Sequence, residues 1–78
     1  MTEVDLGAPE PAYLQLAAIL RARISAGEFA TGPLPSNRTL RQEYGIGEFA
    51  VSHALRVLID EGLIYSVPRR GYYVVRPK

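Results

Sequence analysis

An abrupt change of pattern at Gly62 constrains the fold of this chain more than any other feature of its sequence. Before Gly62, apolar residues recur at helical spacing in three segments, whereas the two segments after it, 63–67 and 72–75, are rich in strand-forming residues. Between these two segments, residues 68–71 have the composition of a tight turn, with a proline first and a glycine last. The sequence therefore predicts helices followed by one β-hairpin that carries two arginines at its tip.

Three helices are predicted from the spacing of the apolar residues and from the residues at the helix ends. The first begins at Pro11, a residue that suits the first turn of a helix, and ends at Gly27. The second is short: it follows Ser36, whose hydroxyl can accept a free backbone N–H, and is broken at 45–47. The third covers 48–61 and is stopped by the glycine after it. Two helices joined by a tight glycine turn are typical of a helix-turn-helix.

The third predicted helix has two chemically different faces. At about 100° of rotation per residue, its apolar side chains fall on one face and must pack against the other helices. The opposite face mixes an aromatic ring, a hydroxyl, an imidazole and a guanidinium, which match the hydrogen-bonding groups and thymine methyl of the DNA major groove. A solvated face, with its ring folded back into the core, is the alternative. The apolar face holds Val51, Ala54, Leu55 and Leu58, and the opposite face holds Phe49, Ser52, His53 and Arg56.

The net charge of +1 hides an uneven distribution of charge along the chain. Residues 1–10 carry a charge of −3 and residues 11–78 a charge of +4. We therefore divide the chain into an acidic, flexible N-terminal tail (1–10) and one folded domain (11–78). The length of 78 residues allows a single domain, and an apolar content of 47% is sufficient for a core.

Composition and spacing exclude several classes of function. The chain has no cysteine, which excludes disulfides and thiolate metal sites, and no apolar run long enough to cross a membrane. It has one histidine, His53, without further ligands at metal-binding spacing, and neither a phosphate-binding loop nor paired carboxylates in a predicted pocket. We therefore expect no enzyme, no cofactor, no metal and no membrane partner, and a cytoplasmic, nucleoid-associated location.

A series of short motifs in a fixed order carries a family resemblance. The motifs lie at 11–17, 20–24, 27–28, 34–36 with Arg38 and Leu40, 43–46, Val51 with 54–56, Leu58, 61–64 and 70–71. From residue 13 to residue 75 the chain resembles the winged helix-turn-helix DNA-binding domain of the GntR family of bacterial transcriptional repressors. The resemblance implies an α+β fold of three helices and a C-terminal β-hairpin wing. It also implies a C-terminal effector domain, so that a chain ending at Lys78 is either an excised domain or a small stand-alone protein.

The resemblance assigns roles to particular positions. It places helix 48–61 in the major groove and the wing, 68–71, at the backbone or minor groove. Ser36 and Arg38 match positions that contact the DNA backbone or a base. Two positions at which the family usually carries arginine hold Glu48 and Ser52 here.

The candidate DNA-binding set combines these positions with the polar face of the third helix. The arginines are expected to neutralise phosphates, and the other helix side chains to read base edges. Glu48 can accept from cytosine N4; its alternative role is a favourable interaction with the helix dipole. Arg41 stands where the family has a small residue, so its head group is expected to point outward to solvent or phosphate, unless the local packing differs. The full set is Ser36, Arg38, Arg41, Glu48, Phe49, Ser52, His53, Arg56, Arg69, Arg70 and Gly71.

The function predicted from the sequence is a sequence-specific DNA-binding transcriptional regulator, a repressor, with double-stranded DNA as its partner. The alternative is a winged-helix protein-interaction module that binds a protein through Phe49 and Glu48, since an exposed aromatic ring beside a charge can anchor an interface. A homodimer is a further expected partner state. Leu14 and Ile19 widen the apolar stripe of the first helix. We interpret them as a broader core face; the alternative is an exposed surface that pairs two copies.

Overall fold

The helices and strands occur in the order that the sequence predicts. The structure is a computed structural model that describes residues 3–75, and in it α1 covers Ala12–Ser25, α2 Asn37–Tyr44 and α3 Glu48–Asp60. Strands β1 (Ile64–Val67) and β2 (Gly71–Val74) pair in antiparallel orientation. The predicted α+β fold is therefore confirmed, with each end of α3 within one residue of its predicted position.

The core forms around the apolar face of α3. Its four predicted core residues are at most 1% exposed, and α3 packs against α1, α2 and β1. Burial of a large aliphatic side chain contributes about 1.5–3 kcal/mol, so this face is a main source of stability. The buried cluster consists of Leu16, Ala17, Leu20, Phe29, Leu34, Leu40, Ile46, Val51, Ala54, Leu55, Leu58 and Ile64.

Glycine and serine set the turn between α2 and α3. The Ser36 Oγ accepts the backbone N–H of Thr39 at 3.1 Å, which satisfies a free donor at the start of α2. Gly45 ends α2 in the left-handed conformation with φ +65°, which only glycine adopts without a steric cost. Ile46 then enters the core, so the chain direction at the start of α3 is fixed.

Backbone hydrogen bonds attach the hairpin to the helical part of the domain. The N–H of Leu34, in the connector before α2, donates to the carbonyl oxygen of Tyr72 at 2.9 Å. At the base of the hairpin, the N–H of Val75 donates to the carbonyl oxygen of Leu63, also at 2.9 Å. The hairpin is therefore held both at its base and near its turn, and residues 68–70 of the turn are exposed.

The segment before α1 contacts the domain through Gln15, a polar residue that is only 3% exposed. The Gln15 amide exchanges two hydrogen bonds with the backbone of Asp5, at 2.7 and 2.8 Å, and also donates to the carbonyl oxygen of Glu10. Val4 packs against the core. The division of the chain at residue 10 stays a prediction, but part of the acidic segment lies against α1.

The structure distinguishes the two interpretations of the wide apolar stripe on α1. Ile19 is 5% exposed, so the broader core face is confirmed there, whereas Leu14 is 37% exposed. Gln15 is covered on the same helix as well. Ile19 is therefore not an accessible contact for a second copy.

Candidate nucleic-acid interface

The outward face of α3 is fully accessible and chemically mixed. Phe49 is 93% exposed, and Ser52 and His53 are exposed as well. Phe49 therefore does not fold back into the core, and the structure leaves its ring available to a partner. Glu48 is exposed in the first turn of the helix, where a carboxylate is favourable to the dipole.

The start of α2 holds the hydroxyl of Ser52 in place. The Asn37 side chain donates from Nδ2 to the Ser52 Oγ at 3.1 Å. The Asn37 Oδ1 is enclosed and accepts no hydrogen bond from any residue of the described part of the chain. Because Ser52 acts as the acceptor, its own O–H remains able to donate outward. Sequence reasoning missed Asn37, since a contact across 15 positions depends on how the two helices pack.

The imidazole of His53 is stacked on a residue of α1. The rings of Tyr13 and His53 are 4.0 Å apart between centroids and only 6° from parallel. Tyr13 is half-buried and packs against the core, whereas His53 is exposed. The sequence indicated Tyr13 only as part of an apolar stripe; helical spacing carried no signal for a contact with α3.

The wing turn displays two arginines in a constrained backbone. The N–H of Arg70 donates to the carbonyl oxygen of Val67 at 3.0 Å, with Pro68 and Arg69 between them. Arg69 has φ +65°, so the turn has the proline and the positive-φ residue of a type II turn. The sequence predicted a positive φ at Gly71, where φ is +105°; the second such position at Arg69 was missed.

Two arginines form three ion pairs with acids away from the wing. Arg21 binds Glu61 at 2.6 Å, and Arg23 binds Glu28 at 2.6 Å and Glu43 at 3.1 Å. The bonds from Arg21 and Arg23 lower the pKa values of the Glu61 and Glu28 carboxyl groups, respectively. These pairs join α1 to the end of α3, to the loop that follows α1 and to α2.

Five further arginines lie within the described residues. One of them forms a weak ion pair, and the other four have no acid partner. Arg56 lies 3.4 Å from Asp60 in a largely exposed pair one helical turn apart. Within residues 3–75, no acid pairs with the other four, all of which are exposed. These are Arg38, Arg41, Arg69 and Arg70, all in the predicted set.

The structure thus exposes the predicted set, with Gly71 half-buried at the start of β2. The hydroxyl of Ser36 is engaged in capping α2, and Ser52 and His53 are each held by another helix. The surface can neutralise phosphates with free guanidinium groups, and it can meet base edges with a carboxylate, a ring, a hydroxyl and an imidazole. A role in DNA contact stays a prediction for every member of the set.

Comparison with known proteins identifies the family. The family model described as bacterial regulatory proteins, gntR family, matches residues 12–74. The chain belongs to the GntR family. The family resemblance is therefore confirmed.

A curated relative and two solved structures agree with this assignment. The chain is 39% identical over 76 residues to the HTH-type transcriptional repressor NagR of Bacillus subtilis (strain 168), which covers 96% of this chain and 31% of NagR. It is similar to YtrA from Sulfolobus acidocaldarius, a GntR-family transcription factor, with a TM-score of 0.84, 35% identity, and coverage of 99% and 82% of the two chains. The structure of AraR(DBD) in complex with operator ORR3 gives a TM-score of 0.79 at 27% identity, covering 91% of this chain and 89% of that one.

The chain spans less than a third of the length of NagR. Within the described residues, no cluster of three or more histidine, cysteine, aspartate or glutamate side chains is arranged to hold a metal ion. None of the helices found there is long and apolar enough to cross a membrane.

Proposed function

We propose that this chain is the operator-binding part of a cytoplasmic, nucleoid-associated transcriptional repressor. The observation that carries the proposal is the division of the arginines. Those that brace the fold are paired with acids, whereas four on α2 and the wing are exposed without an acid partner in the described part of the chain. An arginine without an acid partner can bind a phosphate without first breaking an ion pair. The repressor NagR and the operator complex of AraR(DBD) support the same function.

The arginines supply affinity without sequence information. Arg38 and Arg41 on α2, with Arg69 and Arg70 on the wing, each neutralise a phosphate and release a counterion. Arg56 can join them, because its pair with Asp60 is exposed and long and therefore weak. These contacts fix the position of α3 over the major groove.

The first two turns of α3 supply the sequence information. Glu48 accepts from cytosine N4, and Phe49 packs on a thymine methyl group. Ser52 donates from its free O–H, and His53 presents its ring nitrogens. Glu48 therefore favours an exposed amino group and Phe49 a methyl group, whereas the Ser52 O–H can donate to an acceptor such as guanine O6 or N7.

A salt titration on a selected site tests the proposal. The chain is first used to enrich binding sites from randomised duplex DNA, and its affinity for the enriched site is then measured across salt concentrations. With about four to five phosphates engaged, log affinity falls against log salt with a slope of roughly −3.6 to −4.5. A slope near zero, or no enrichment, contradicts the proposal and favours a protein partner at Phe49 and Glu48.

We further propose that two copies occupy a complete operator. Helix-turn-helix proteins commonly read two half-sites about one helical turn apart, and one small domain covers a single half-site. Sedimentation of the chain with duplexes carrying one or two half-sites tests this. Two copies bound to the two-site duplex, and one to the other, are expected; a single copy on both contradicts the dimeric arrangement.

A further inference from the structure

The stack of Tyr13 on His53 joins two parts of the molecule that have different roles. Tyr13 lies at the start of α1, about two turns before the buried Leu20, and it packs against the core. His53 lies on the outward face of α3, within the proposed base-reading surface. At 4.0 Å between centroids and 6° from parallel, the rings are in full face contact.

This contact restricts the imidazole to a narrow range of orientations. An exposed side chain on a helix normally samples several rotamers, and each ordered rotamer costs free energy when a partner binds. A ring packed against one face of the imidazole removes those alternatives before binding. It covers one face of the imidazole and leaves the ring edge, with the two nitrogens, accessible to a base.

We propose that Tyr13 is a positioning residue for DNA reading, which holds the His53 imidazole edge-on toward the major groove. The base preference at the position that His53 reads then depends on a residue outside the recognition helix. This inference rests on the proposed function and adds to it a specificity determinant on α1.

Four variants test the proposal: Tyr13→Phe, Tyr13→Leu, His53→Ala, and Tyr13→Leu combined with His53→Ala. The readout is the ratio of affinities between the enriched site and its single-base variants. His53→Ala reduces this ratio at one position by roughly fivefold or more, since a mismatched contact has about that effect. Tyr13→Leu reduces it at the same position, Tyr13→Phe retains it, and the combined variant matches His53→Ala.

The outcomes separate positioning from other roles of Tyr13. If Tyr13→Leu weakens binding to all sequences equally, or if its effect adds to that of His53→Ala, the proposal is overturned. A phosphate contact by the hydroxyl, by contrast, is lost in Tyr13→Phe without any change in preference. Thermal melts accompany each variant, and Tyr13→Met replaces Tyr13→Leu if the latter is unfolded at the assay temperature.

Proton NMR of the free chain gives a readout that does not depend on DNA. The His53 ring protons should be shifted upfield by the tyrosine ring, retain that shift in Tyr13→Phe and lose it in Tyr13→Leu. An unshifted His53 in the wild-type chain overturns the inference alone. A wild-type chain that enriches no DNA sequence overturns the proposed function, and this inference with it.

Discussion

The two faces of α3 are formed by residues that are close in sequence, but one face is buried in the core and the other is exposed. Val51, Leu55 and Leu58 are essentially inaccessible, whereas Phe49 is 93% exposed two positions before Val51. The buried face must fit the shapes of α1, α2 and β1, whereas the outward face contacts the other helices only through the side chains of Ser52 and His53 among those described above. Stability and recognition are therefore largely separable within one helix, and the departures from the usual family residues, at Glu48 and Ser52, fall on the exposed face.

The largest expected effect comes from truncating the buried face. Leu55 is 1% exposed, so Leu55→Ala leaves a cavity in the packed core. Such substitutions reduce the free energy of unfolding by about 2–5 kcal/mol. In a domain of this size, that is a large part of the total stability. The free energy of unfolding, measured by urea denaturation, should fall accordingly.

Phe49→Ala is the matched control on the outward face, since it removes a larger side chain from the same helix. Because that ring is 93% exposed, the free energy of unfolding, measured by urea denaturation, should change by less than about 0.5 kcal/mol. Comparable losses in the two variants would show that the faces are not separable.

The two faces of α3 could be predicted from the sequence, whereas the contacts of α3 with residues distant in sequence could not. Helical periodicity fixes which side chains share a face, so the burial of Leu55 and the exposure of Arg56 followed from their spacing. Glycine at 45 and 62 fixed the ends of α2 and α3 because few other residues adopt their backbone conformations.

Contacts between distant residues required the folded structure. The bond from Asn37 to Ser52 and the stack of Tyr13 on His53 join positions 15 and 40 apart. No period or motif encodes such pairs, because they depend on the angle at which the helices cross. The same reason explains why spacing left two interpretations of Leu14 and Ile19 open and why the paired arginines did not differ in sequence from the unpaired ones.

The next largest effect concerns the wing. Removing both tip arginines, Arg69→Ala with Arg70→Ala, should weaken binding to all DNA sequences and reduce the salt slope by about 2, one for each lost phosphate contact. The relative ranking of sequences should not change. Affinity measured across salt concentrations checks both expectations.

Arg21→Ala is the charge-matched control for each wing substitution. It removes one positive charge from an arginine that is already bound to Glu61 at 2.6 Å. The slope should stay at the wild-type value within about half a unit. A slope reduced to the same degree as in a single wing variant would show that total charge, rather than the unpaired arginines, determines binding.

A smaller effect sharpens the assignment of Phe49 on the outward face. Replacing thymine by deoxyuridine removes one methyl group from the DNA, and burying a methyl group contributes about 0.8 kcal/mol. The wild-type chain should lose about fourfold in affinity at one thymine of the enriched site. Phe49→Ala should be insensitive to the same replacement.

The comparison of the four combinations, two proteins with two DNAs, isolates the contact between ring and methyl group. If both proteins lose affinity equally on deoxyuridine, the methyl group acts through DNA shape or another side chain. If neither does at any thymine, the ring of Phe49 reads no methyl group, and a protein partner becomes its better explanation.

The smallest effect belongs to the ion pair at the end of α3, which lies outside both faces. The hydrogen bond from Arg21 lowers the pKa of Glu61 below the ordinary value of 4.5. The pair therefore stabilises the fold above that ordinary pKa, and its contribution is lost as the pH falls through the lowered pKa of the folded state. Because both side chains are about 40% exposed, the contribution is small.

The test is the melting temperature of each variant between pH 7 and pH 3. The melting temperature of Glu61→Gln should decrease less with falling pH than that of the wild type. Adding Arg21→Ala to this variant should not change the pH dependence further. A larger loss at neutral pH than that of Leu55→Ala would reverse the ranking, and would show that surface pairs, not the buried face of α3, hold the domain together.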